Sequence, residues 1–284
     1  MPTKQRIAFQ GEPGANSHLA ISEVYPRAQA VPCATFEDAL AAIRSGRADL
    51  GMIPIENSVA GRVADIHHLM PTSRLHIVGE HFMPVHHQLL GTKDSSLRTI
   101  KTVESHVHAL GQCRNIIRKL GIKAMVAADT AGSAREVAEA RDNTRASIAT
   151  KLAAKIYGLR VLKPNIEDAK HNTTRFIVLS RTANWAKPSK NRKVVTTFIF
   201  QVRNIPAALY KALGGFATNG TNMTKLESYM VGGSFSATQF YADVEGHPTD
   251  RALELALEEL EFVCQPKTLK ILGVYPAHPF RKKF

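Results

Sequence analysis

Residues 6–17 read RIAFQGEPGANS. An apolar run at 6–9 passes through a loop bearing Gly11 and Gly14, and Ala15, Asn16 and Ser17 then open a helical stretch. A strand that turns through glycine into a helix is the building unit of an α/β domain. Backbone amides freed at such a helix start suit an anion, but the loop is neither GxGxxG nor a P-loop, and a plain strand-to-helix turn reads the same way. Outward from this stretch, short apolar runs recur at 49–55, 75–79, 99–103, 122–128, 146–149 and 176–179. Helix-like segments lie between several of them. Leu110, Ile117 and Leu120 share a helical face with Cys113 and Arg114, and 130–141 opens behind Asp129 as an N-cap. Strand and helix in alternation over 1–181 predict a parallel, doubly wound α/β domain, whose ligand sits in a crevice at the carboxyl ends of strands.

The second block, 194–276, has a different rhythm. Residues 194–202 predict a strand with Phe198, Phe200 and Val202 on one face, and 206–216 a helix with Leu209, Ala212, Leu213 and Phe216 on one stripe. Two strands follow at 222–230 and 234–244, joined through Gly232 and Gly233 as a hairpin. Leu253, Ala256, Leu257 and Leu260 mark a second amphipathic helix, and 268–274 a last strand. The order βαββαβ predicts an α+β, ferredoxin-like module. Residues 182–193 read as a linker and 277–284 as a basic tail.

The chain has 284 residues, too many for one typical domain and comfortable for two. Its formal charge is +13. Part of that excess lies in 181–193, with five cations and no acids, and part in Arg281, Lys282 and Lys283, which read as a frayed end. Neither place has the aromatic interleaving of a nucleic-acid reader, so no nucleic-acid partner is expected. A positive field also attracts small dianions, the better use for it here. No run approaches the roughly 20 apolar residues of a membrane span, and the N-terminal MPTKQRIAFQG lacks the apolar core of a signal peptide. Cys33, Cys113 and Cys264 are odd in number and widely spaced, which suits a reducing compartment; the expected location is the cytoplasm.

Two further stretches offer chemistry. Residues 55–61 (IENSVAG) end an apolar strand with polar groups where a site would sit, although Asn and Ser also serve as caps and turns. Residues 172–176 (NTTRF) place Thr174 beside Arg175, whose planar fork matches a carboxylate; a surface turn and a β-prone Thr are the plain alternative. The pairs His67 and His68, His86 and His87, and His106 with His108 have no metal-ligand spacing and read as solvated or core residues. No Ser-His-Asp signature or paired acid and base stands out. The residues by themselves give a two-domain α/β protein with a cleft for a small anion and an appended βαββαβ module.

Taken in order, the segments resemble prephenate dehydratases over nearly the whole chain. RIAFQGEPGANS (6–17) is similar to that family's opening strand and loop, IPIENSVAG (53–61) to its Asn-Ser-x-x-Gly segment, and ESHVHALGQC (104–113) to its Ser-His-Pro-x-Ala-Leu-x-Gln-Cys segment. DTAGSA (129–134), ASIA (146–149) and NTTRF (172–176) resemble its later signatures, and 204–228 resembles its ACT regulatory domain. Three motifs depart: Val107 stands for the Pro after Ser-His, Ala207-Ala208-Leu209 for Gly-Ala-Leu, and Glu227-Ser228-Tyr229-Met230 for Glu-Ser-Arg-Pro.

The resemblance implies a catalytic domain of two lobes with a cleft between them, like periplasmic binding proteins, over 1–181, and an ACT domain over 194–276. It implies decarboxylating dehydration of prephenate to phenylpyruvate without metal or organic cofactor, and feedback by L-phenylalanine. Beginning at the dehydratase strand, the chain reads as monofunctional. By resemblance Thr174 assists the leaving hydroxyl, Arg175 holds a substrate carboxylate and Phe176 packs beneath the site. Asn57, Ser58, Gly61, Ser105, Gln112, Asp129 and Thr130 are expected as cleft walls. Asn204, Ala207, Leu209, Asn222, Leu226, Glu227 and Ser228 are expected to contact phenylalanine where ACT domains pair into a homodimer or homotetramer. Arogenate dehydratase is a second enzyme reading on the same scaffold, and a non-catalytic amino-acid sensor is the rival from another class.

Overall fold

The computed structural model describes residues 4–189, 193–230 and 238–283. The chain divides into two compact units: unit 1 comprises Met1–Val63 and His81–Phe176, unit 2 Ala64–Glu80 and Ile177–Phe284. This differs from the expected break at 181/182, because Ala64–Glu80 and the end of the last catalytic strand belong with the C-terminal block.

Unit 1 has two lobes. The first holds β1 (Arg6–Gln10), α1 (Asn16–Val24), β2 (Gln29–Cys33), α2 (Phe36–Ser45), β3 (Leu50–Asn57) and the two-residue β4 (Gly61–Arg62). β1 lies parallel between β2 and β3, with Ile7 opposite both Ala30 and Leu50. α2 is capped at one end by Thr35 Oγ1, which accepts from Asp38 N at 3.1 Å, and ends at Gly46 in the left-handed region. Ile7, Phe9, Leu40, Ile43, Met52 and Ile53 are wholly buried and form this lobe's core.

Between the lobes in sequence come α3 (Ala64–Leu69) and β5 (His76–Pro84). The second lobe holds β6 (Gln88–Gly91), β7 (Thr102–Ser105), α4 (Val107–Gly111), α5 (Arg114–Leu120), β8 (Lys123–Val126), α6 (Thr130–Ala140), β9 (Arg145–Ala149), α7 (Lys151–Tyr157) and β10 (Arg160–Lys163). Its sheet runs β10-β6-β9-β7-β8 around a core of Leu89, Val103, Leu110, Ile116 and Ile148. β7 pairs parallel with β8 and β9, but β6–β9 and β10–β6 are antiparallel, so the sheet is mixed rather than wholly parallel. The single helix read across Leu110–Leu120 is two, α4 and α5, broken at Gln112 and Cys113. β11 (Thr173–Ser180) returns to the first lobe beside β3.

The glycine loop after β1 reaches across to the second lobe. Gly14 has φ +96°, and a Cβ there would meet Ala153 of α7 at 2.8 Å, so only glycine fits. Thr150 Oγ1 donates to Gly14 O, Tyr157 OH donates to Pro13 O, and Arg135 forks onto Glu12 at 2.8 and 3.1 Å. These bonds hold the start of α1 in place.

The C-terminal part of unit 2 runs β12 (Val194–Gln201), α8 (Ala208–Thr218), β13 (Met223–Met230), β14 (Thr238–Glu245), α9 (Arg251–Val263) and β15 (Lys270–Pro276). The expected βαββαβ order is present, with sheet order β13-β14-β12-β15 and α8 packed on α9. Even-numbered Phe198 and Phe200 of β12 face the helices and pack with Phe216, Leu253 and Leu260, as a period of two requires. The hairpin expected at Gly232 and Gly233 lies outside the described residues. α3 and the start of β5 join this unit because Ile77 pairs with Gly273, where a Cβ would run into Ile77 O, and because His67 packs edge-on to Tyr241 at 5.2 Å.

The tail is not frayed at Arg281. Its Nε and Nη2 donate to Glu80 at 2.7 and 2.9 Å, and Nη2 reaches Asp243 at 3.3 Å. Residues 182–189 and Lys193 are largely exposed, with Ala186 N pinned to Val274 O. No described helix is long and apolar enough to cross a membrane.

Candidate active site

A cavity of about 310 Å³ lies within unit 1. Several chain segments meet in it. The β1–α1 loop brings Gln10, Gly11, Asn16 and Ser17; the end of β3 brings Asn57; the β7–α4 and β8–α6 turns bring His106, His108, Gln112, Asp129 and Thr130. Thr174 enters from the start of β11. These are strand ends and helix starts, where an α/β fold presents polar backbone.

Two helices, α1 and α6, start at the cavity wall. α1 has no side-chain cap at Ala15, and Ala15, Asn16 and Ser17 line the cavity. α6 is capped by Asp129, whose Oδ1 accepts from Gly132 N at 2.7 Å, the N-cap read from sequence. No Lys or Arg stands among the lining residues. Burial pushes the His87 and His106 imidazoles below their ordinary value; the neighbouring His108 pushes His106 the same way, while Gln112 partly offsets the shift at His87.

Behind the cavity runs a chain of side-chain hydrogen bonds. Asn57 Oδ1 accepts from the backbone N–H of Val59 at 2.9 Å and Ala60 at 2.8 Å. Its amide must therefore donate from Nδ2, which it does to Thr174 Oγ1 at 2.9 Å and to Asn172 Oδ1 at 2.7 Å. Asn172 Nδ2 donates to Gln112 Oε1 at 2.8 Å, and His87 Nε2 meets the same oxygen at 2.8 Å. Thr174, 9% exposed, thus accepts from Asn57, and its hydroxyl hydrogen has no acceptor among the described residues.

Of the residues expected at the site, Asn57, Gln112, Asp129, Thr130 and Thr174 line the cavity. Arg175 does not. Side chains on a strand alternate faces, so Thr174 and Arg175 point to opposite sides of β11. Arg175 is 2% exposed, its Nη1 donates to Glu56 at 2.9 Å, and its guanidinium lies 5.7 Å over the Phe82 ring. Phe176 returns to the Thr174 side and is 1% exposed. Ser58 donates to His171 O and accepts from Thr173 N, which fixes the start of β11. Gly61 pairs with Asn57 at φ +82°, and Ser105 is fully buried with its hydroxyl on Ile148 O. The sequence reading took His87, His106 and His108 as solvated or core residues, yet all three line the cavity. For His106 and His108 a signal was at hand, since they lie between Ser105 and Gln112, both expected as cleft walls; for His87 only the fold gives it.

In unit 2, Leu209 and Leu226 pack on one core, Asn222 Nδ2 donates to Glu245 at 3.3 Å, and Lys225 Nζ donates to Glu227 at 3.3 Å. Asn204, Ala207 and Ser228 are exposed.

The family model described as prephenate dehydratase matches residues 7–184. A Komagataeibacter europaeus protein, named a bifunctional N-acyl-homoserine lactone acylase/prephenate dehydratase, is 51% identical over 277 residues, 98% of each chain. An Arabidopsis thaliana protein named arogenate dehydratase/prephenate dehydratase 1 is 38% identical over 96% of this chain and 72% of its own. Among solved structures, prephenate dehydratase from Arthrobacter aurescens in complex with L-Phe superposes with a TM-score of 0.87 at 30% identity, covering 96% of this chain and 92% of that one. With the cavity, its strand-end donors and the family match all falling in the same N-terminal part, the chain belongs to the prephenate dehydratase family of lyases.

Proposed function

We propose that the chain converts prephenate to phenylpyruvate, CO2 and water. The observation that carries this reading is the donor pattern at Thr174: Asn57 occupies its oxygen, so its hydrogen is free for a departing hydroxyl. Prephenate is a dianion. The open start of α1 and the Gln112 amide supply donors for its carboxylates, in a chain whose overall field is positive. As the ring carboxylate leaves as CO2, its electron pair enters the ring and expels hydroxide from the opposite carbon. Aromatisation supplies the driving force. An alcohol is a weak general acid near neutral pH, so Thr174 acts by an oriented hydrogen bond to the leaving oxygen. Arg175, held by Glu56 and Phe82 away from the cavity, braces β11 in this reading.

Thr174→Val should lower kcat by about 10²- to 10⁴-fold with little change in KM. Phenylpyruvate formed from prephenate at neutral pH is the readout, against a no-enzyme blank because prephenate aromatises unaided in acid. An unchanged kcat in the folded variant sinks the role of Thr174.

Arogenate is the second substrate to test, since the Arabidopsis relative carries both names; side-by-side kcat/KM values decide it. Amide hydrolysis stands lower, despite the name of the Komagataeibacter relative, because Thr174 Oγ1 accepts from the Asn57 amide and, among the described residues, no imidazole hydrogen-bonds to it. L-Phenylalanine is the proposed effector. The named complex of the Arthrobacter relative supports it, with the βαββαβ modules of two or four copies pairing near Asn204, Ala207, Leu209, Asn222, Leu226, Glu227 and Ser228. The free thiols of Cys33, Cys113 and Cys264 support a cytoplasmic location.

A further inference from the structure

Asn172 lies just before β11, 3% exposed, in the middle of the hydrogen-bond chain behind the cavity. It does not line the cavity, and the reaction described above gives it no part. Its two amide atoms do opposite things: Oδ1 accepts from Asn57 at 2.7 Å, and Nδ2 donates to Gln112 at 2.8 Å.

The polarity of the chain has a root. The backbone N–H groups of Val59 and Ala60 fix which end of Asn57 is oxygen, so Asn57 must donate to Asn172. Asn172 must then donate to Gln112. Gln112 receives this bond on Oε1, which leaves its Nε2 with no hydrogen-bond acceptor among the described residues, beside the cavity that Gln112 lines. His87 cannot decide the Gln112 orientation. A neutral imidazole donates or accepts at Nε2 according to its tautomer, and either flip of Gln112 would satisfy it. The Gln112 oxygen turned into the cavity would face the negative charge of the substrate.

We infer that Asn172 is a positioning residue for the dehydration. It carries the polarity set at the 57–60 turn across to Gln112, so that Gln112 and Thr174 both present donors to the same cavity. This inference rests on the reading of Thr174 as donor to the leaving hydroxyl.

Asn172→Asp tests it without a change of size. The ionised carboxylate still accepts from Asn57 but cannot donate to Gln112, and Gln112 flips to meet it. The protonated carboxyl has one acceptor and one donor, as the amide has. A carboxylate buried among neutral amides titrates above its ordinary range. The kcat of N172D, taken as a ratio to wild type at each pH, should be down on the order of 10- to 100-fold near pH 8 and recover toward one as the pH falls to about 5.5. KM should move much less. N172A should be slow at every pH.

Wild type, T174V, N172D and N172A are assayed together with prephenate, with a blank at each pH and thermal melts to confirm folding. A flat N172D ratio across the pH range, or a folded N172A with wild-type kcat, overturns the inference while leaving the lyase reading intact. Wild type without turnover overturns both. If N172A does not fold, the N172D profile decides alone.

Discussion

Ala207 shows how one residue can carry strain that its neighbours do not reveal. It caps α8 at φ +59° and ψ +23°, the left-handed region that an L side chain enters at a cost of about 1–2 kcal/mol. Ala207 stands where the resembling Gly-Ala-Leu motif has glycine. Ala207→Gly relieves the backbone but gives the unfolded chain more freedom, so the expected net gain is about 0.5–1 kcal/mol, or a rise of about 1–4 °C in the melting transition. Calorimetry of the full chain checks it, and an unchanged or lower transition counts against the strain. At this scale the sequence was legible where a residue's task is local. Asp129 caps α6 because capping needs only the next three residues. Arg175 shows the converse. Alternation puts it opposite Thr174, but which face of β11 meets the cavity depends on β3 and on the 57–60 turn, more than a hundred residues earlier.

Among the elements, the C-terminal turn has the largest unforeseen role. Arg281 and the tail around it read as solvated charge, since three cations at a chain end look alike whether free or bound. The partners of Arg281 are 201 and 38 residues away in sequence, and both carboxylates, Glu80 and Asp243, have side chains 0% exposed. Asp243 also accepts from Thr197 Oγ1 at 2.6 Å, and Arg281 Nη1 donates to Thr224 Oγ1 at 2.9 Å, so the guanidinium fork is used on every side. Removing a partner from a buried ion pair leaves charge that the interior cannot solvate. Arg281→Met should therefore cost about 3–5 kcal/mol, seen as a lower urea midpoint for the full chain, with Arg281→Lys losing less because the charge survives and only the fork is lost. A midpoint equal to wild type for Arg281→Met rejects the latch. The βαββαβ order was legible because period-two and helical stripes are local patterns. β2, β6 and β10 escaped notice because they are short and lack a clean apolar run, and the antiparallel pairing of β6 and β10 has no local signature at all.

Across the whole molecule, regulation needs a connection between the cavity and the C-terminal module, and the backbone supplies two. β11 begins in unit 1 with Thr173 and Thr174 and ends in unit 2 with Ile177–Ser180. β5 begins in unit 2 and ends at Pro84 in unit 1, followed at once by Val85 and His87 of the cavity wall. A shift in register or twist at the unit 2 end of either strand would have only a few peptide units to cross to reach a cavity residue. If L-phenylalanine on the βαββαβ module is the effector, linkage demands reciprocity: the factor by which it weakens binding of a substrate analogue equals the factor by which the analogue weakens binding of phenylalanine. Titration calorimetry of each ligand, with and without saturating amounts of the other, measures both factors. We expect them to agree at about 5- to 150-fold, the usual span of such couplings. Phenylalanine that binds to millimolar levels without altering either the analogue's affinity or turnover would make the module a separate binding domain. The two strands would then be covalent connections that carry no regulatory signal.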